Sequence, residues 1–62
     1  MKYSDLIDQD ITVYSENGNK YRGILRSVDD DGILKFEVGI DTFYIGVGVL
    51  YAVTVHGMSP VT

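Results

Sequence analysis

Sixty-two residues hold one domain, and a chain this short buries only about 60% of its unfolded surface, so a single core needs a staple. The sequence has no cysteine and a single histidine, His56, which excludes a disulfide and a His/Cys metal cluster and leaves oligomerisation as the expected staple. Nine acids against five Lys and Arg give a net charge of −4, which argues against non-specific binding to DNA, RNA or an anionic membrane.

A hydrophobic share of 45% is too high for intrinsic disorder. In chain order, Ser4 reads as an N-cap, with Asp5 and Asp8 near the positive end of a helix. Tyr3, Leu6 and Ile7 recur at helical spacing, so a two-turn α-helix is expected over about 4–10. It is too short to stand alone and must pack on the domain. Ile11–Tyr14 is β-branched and aromatic, the start of a strand over about 11–15. Asn17-Gly18 is a strong hairpin signal because both residues tolerate positive φ. A second strand over about 20–29 follows, with Tyr21, Gly23 and Leu25 on one face and Arg22, Ile24, Arg26 and Val28 on the other. Gly23 within it points to a sharp bend or a close backbone approach.

Asp29-Asp30-Asp31-Gly32 is a turn, since carboxylates bond their own backbone and glycine takes the left-handed conformation. The third strand, 33–38, alternates cleanly, with Leu34, Phe36 and Val38 inward and Lys35 and Glu37 in water. Gly39-Ile40-Asp41 turns into a different pattern, because no charged residue occurs between Thr42 and Val55. Two strands are expected there, over about 42–49 and 51–56, followed by a loose tail over 57–62. Both faces of these strands are apolar, with Phe43, Ile45, Val47 and Val49 on one and Tyr44 and Leu50 on the other. A small core has little room for both faces, and burying each side chain is worth about 1.5–3 kcal/mol. Two readings follow: an ordinary hairpin in a tight core or, in preference, burial against other copies, head to tail, closing into a ring or running on as a fibre. The expected interface residues are Phe43, Tyr44, Ile45, Val47, Leu50, Tyr51, Val53 and Val55.

The order of elements, with specific residues, resembles the Sm-like (LSm) family. Asn17-Gly18, Tyr21, Gly23, Leu25, Val28 and Asp29 are similar to its first motif, continued by Ile33-Leu34 and Phe36. Phe43-Tyr44-Ile45, Leu50 and Val53 are similar to the second. The resemblance covers about residues 4–56. It implies an all-β, SH3-like, strongly bent five-stranded antiparallel barrel with a short N-terminal α-helix. It also implies homo-oligomeric rings joined by the fourth strand of one copy and the fifth of the next, and a role in RNA metabolism. The implied pore loop is Asp29, Asp30, Asp31, Gly32, Ile33 and Gly46. RNA-binding relatives use an asparagine, a stacking residue and a basic residue there. Here those positions hold Ile33, Gly32 and Gly46, or Val47 with a one-residue shift. Stacking needs a π-face and phosphate needs positive charge, and the loop carries three aspartates instead.

Lys20, Arg22 and Arg26 form the one basic cluster, a candidate RNA or partner surface, with Tyr14 and Tyr21 nearby. No nucleophile–base set, phosphate loop, zinc motif or calcium loop occurs, so neither an enzyme nor a cofactor is expected. Phe43–Val55 is too short to cross a bilayer and Met1–Asp5 lacks an apolar signal core, so a cytoplasmic location is expected. The sequence therefore carries two functional expectations: a ring with divergent single-stranded RNA binding, or a structural ring that binds no RNA.

Overall fold

The computed structural model describes residues 2–58. A 3-10 turn, η1 (Tyr3–Leu6), precedes β1 (Gln9–Ser15), β2 (Lys20–Val28), β3 (Ile33–Val38) and β4 (Asp41–Gly46); a second 3-10 turn, η2 (Val47–Val49), leads into β5 (Leu50–Met58). The strands form one five-stranded sheet in the order β4-β3-β2-β1-β5, and every pairing is antiparallel. The protein is all-β, as expected. The sheet is open: β4 and β5 are its two edges and do not pair with each other. The turn η2 joins β4 to β5, and it is tied to the β1–β2 loop where the Glu16 N–H donates to the Val49 carbonyl at 2.9 Å.

The core is built by alternation. Ile11 and Val13 of β1, Leu25 of β2, and Leu34 and Phe36 of β3 are fully buried, and Leu6 of η1 caps them. Each of these fully buried side chains contributes about 1.5–3 kcal/mol relative to exposure. Tyr3, Tyr21, Val28, Ile45, Val47, Leu50 and Val53 pack around this cluster.

Five local expectations are corrected. The helix over 4–10 is only the single turn η1; Lys2, not Ser4, stands at its N-cap position and makes no side-chain cap bond. Without a cap so short a helix cannot propagate. The Asp8 N–H instead donates to the Leu25 carbonyl at 2.6 Å, and Asp8 takes a left-handed φ of 69°, which aspartate tolerates better than most residues. Second, the fourth strand stops at Gly46, not 49, because the Val47 N–H donates to the Gly32 carbonyl and pulls the chain out of line. Third, Val28 packs on the core rather than sharing the face of Arg22. A register shift between Leu25 and Ser27 in the β2–β3 pairing inverts the alternation after Leu25. Fourth, Val38, the last residue of β3 before the β3–β4 turn, is 39% exposed rather than buried. Fifth, residues 57 and 58 continue β5 rather than forming a tail; the rest of the expected tail, 59–62, lies outside the described residues.

Gly23 is placed by close approach. A Cβ built there would lie 2.7 Å from the Glu37 carbonyl oxygen and 2.8 Å from Val38 Cγ2. Only glycine lets β2 and β3 cross so tightly at this point.

Candidate interaction surfaces

The residues expected to line a pore loop do come together. Asp29 organises the turn: its Oδ1 accepts the N–H groups of Asp31 and Ile33, both at 2.9 Å. Gly32, at φ 79°, returns its N–H to the Asp29 carbonyl. Ile33 then pairs with Gly46 across β3 and β4, and the Val47 N–H to the Gly32 carbonyl, 2.8 Å, ties the turn to η2. Asp30 and Asp31 face solvent. Among the described residues no group of three His, Cys, Asp or Glu is placed to hold a metal ion.

The eight residues expected at a subunit interface divide into two sets. Ile45, Val47, Leu50 and Val53 pack against the domain's own core. Phe43 (46%), Tyr44 (68%), Tyr51 (68%) and Val55 (40%) are exposed. The exposed set is carried by β4 and β5, the two edges of the sheet. Isoleucine 40 at the β3–β4 turn is fully exposed as well. Natural edge strands are usually blunted by charge, proline or cover; these two carry apolar and aromatic side chains.

The basic cluster also divides. Arg26 turns away, its Nη1 donating to Asp8 Oδ1 at 2.8 Å and its Nε to Glu37 Oε1 at 3.0 Å. Arg22 lies across β1 and grips Asp10 with two bonds, Nε to Oδ1 at 3.2 Å and Nη2 to Oδ2 at 2.9 Å. That hydrogen-bonded guanidinium holds the Asp10 carboxyl below the usual carboxylate range. Lys20 and Arg22 share a cleft with Thr12, Tyr14 and His56 on the face opposite the core. Thr12 Oγ1 and His56 Nε2 are hydrogen-bonded at 2.8 Å, and the Tyr14 and Thr54 hydroxyls at 3.1 Å. The Tyr14 and Tyr51 rings lie 6.3 Å apart, tilted by 43°.

Sequence reasoning placed Tyr51 only at a subunit interface and did not place His56, Thr12 or Thr54 on this face. In the β1–β5 ladder Ser15 pairs with Leu50 and Tyr14 with Ala52, while Ile11 pairs with Val55 and Asp10 with Gly57. Tyr51 and His56 are thus the extra residues at two register shifts, and bulges of this kind re-aim side chains. Among the described residues, no helix is long and apolar enough to cross a membrane. No protein-family model, curated protein or solved structure matches the chain.

Proposed function

We propose that this chain is a self-assembling, Sm-like module in which the β4 edge of one copy pairs with the β5 edge of the next, forming a homo-oligomeric ring that contacts single-stranded RNA on its outer sheet face. One observation carries the assembly reading: the two unpaired edges of the sheet are the two strands on which the exposed apolar side chains fall. With β4 and β5 at opposite edges of one sheet, the β4 of one copy can meet the β5 of the next head to tail. Light scattering or native mass spectrometry tests it. A discrete oligomer is expected, and Val55→Lys or Phe43→Lys, both at half-exposed edge positions, should give a folded monomer. A stable wild-type monomer at micromolar concentration would defeat the reading.

The RNA contact rests on Tyr14, which pairs with the Tyr51 ring and shares a cleft with Lys20 and Arg22, since stacking rings with adjacent cations suit unpaired bases and their phosphates. The pore positions Gly32, Ile33 and Gly46, beside three aspartates, supply neither. A structural ring without RNA is the second reading, favoured by the net charge of −4 and by Asp10 occupying the Arg22 guanidinium. Titration with short U-rich and A-rich RNA across salt concentrations separates them. Binding that weakens with salt and is lost in Tyr14→Ala supports the first; no binding to either RNA leaves the second.

A further inference from the structure

A second cleft, of about 350 Å³, lies between the β1–β2 loop and the end of β4. Its lining includes Tyr21, Tyr44, Ile45, Val49, Glu16 and Asn17. The lining carries one carboxylate and no basic residue. The Glu16 backbone is fixed by its N–H bond to the Val49 carbonyl, but its carboxylate makes no ion pair among the described residues. The Tyr21 hydroxyl accepts a bond from Asn19 Nδ2 at 3.3 Å.

We propose that this cleft binds an organic cation, an ammonium group of the kind carried by a quaternary amine or a lysine side chain. Aromatic faces attract cations through their quadrupole, and Glu16, a lining residue whose carboxylate makes no ion pair among the described residues, adds the complementary charge. The volume is within the range of small-ligand sites. Ile45 and Val49 suit the methyl or methylene groups that surround such a nitrogen. An anion would meet Glu16 with no compensating base, and a neutral apolar ligand would leave the carboxylate unused. The cleft is built within one chain, but Tyr44 also lies on the β4 edge that assembly would cover, so the titrations are run on the Val55→Lys chain as well as on wild type, which separates failure of the cleft from its closure by a neighbour.

Amide and side-chain chemical shifts of the full chain, titrated separately with choline, with its neutral isostere 3,3-dimethylbutan-1-ol and with a capped lysine, test the proposal. Choline or the capped lysine should give saturable shifts confined to Glu16, Tyr21, Tyr44, Ile45 and Val49. The neutral isostere should bind about tenfold more weakly, the scale of one partly desolvated cation–π contact. Glu16→Gln, an exposed loop substitution that leaves the fold intact, should weaken the cation several-fold and leave the isostere unchanged. Saturation by choline alone assigns the cleft to free quaternary amines, and saturation by the capped lysine assigns it to a protein side chain. Equal affinity for choline and isostere, indifference to Glu16→Gln, or no shifts in the cleft with either cation would overturn the proposal.

Discussion

Single residues of one type have opposite structural weight in this chain. Gly23 sits against the backbone of β3, with the Glu37 carbonyl oxygen 2.7 Å from where a Cβ would stand. A backbone carbonyl held in a ladder cannot step aside, so Gly23→Ala should cost about 1–3 kcal/mol, the usual scale of forced overpacking, read as a lower urea midpoint. Gly48 in η2 has nothing within 4 Å of its would-be Cβ and no positive φ. Gly48→Ala should therefore be neutral or stabilising by up to about 1 kcal/mol, through the unfolded chain. Asp10 sets an acid limb to stability. Its folded-state pKa is depressed, first by the hydrogen bond from Arg22, so its contribution is present above the ordinary carboxylate pKa and is lost as pH falls through the folded value. Asp10→Asn should remove that dependence: the variant is less stable than wild type near neutrality, and the gap closes in acid. Thermal melts between neutral pH and about pH 3 measure it, the range spanning the ordinary carboxylate pKa.

At the scale of elements, β3 is one of three interior strands, pairing with β2 on one side and β4 on the other and sending Leu34 and Phe36 into the core. Phe36→Ala should cost about 3–5 kcal/mol, a large part of the 5–15 kcal/mol that holds a typical domain, and circular dichroism should show the variant largely unfolded. This strand was legible in sequence to the residue at both ends, because its apolar and charged positions alternate without interruption. The same rule failed wherever a register shift intervened. Val28 follows a shift in β2, and Tyr51 and His56 are the extra residues in β5. A bulge changes which face a residue occupies without changing composition, so alternation alone carries no trace of it. The N-terminal helix was over-read for a different reason: the spacing of Tyr3, Leu6 and Ile7 fits a helix, but the Asp8 N–H is captured by the Leu25 carbonyl, a long-range competitor that local periodicity cannot reveal. The basic cluster misled in the same way, since the partners of Arg26, Asp8 and Glu37, lie on other elements.

For the molecule as a whole, the question is what covers the edges. Among the described residues six apolar side chains are buried, while the two edges keep aromatic and aliphatic groups in water. A sheet that ends this way gains stability from a second strand at each edge, both by ladder hydrogen bonds and by removing Phe43, Tyr44, Tyr51 and Val55 from solvent. If assembly is coupled to folding, mass action makes apparent stability depend on protein concentration. The melting temperature of the wild-type chain should then rise steadily as concentration is raised in tenfold steps. Val55→Lys, which places a charge on the β5 edge without entering the core, should melt lower and at one temperature throughout. Calorimetry on both chains over the same series is the measurement. A wild-type melting temperature independent of concentration would mean that the domain is stable by its own core. The apolar edges would then have to be explained by a partner other than a second copy.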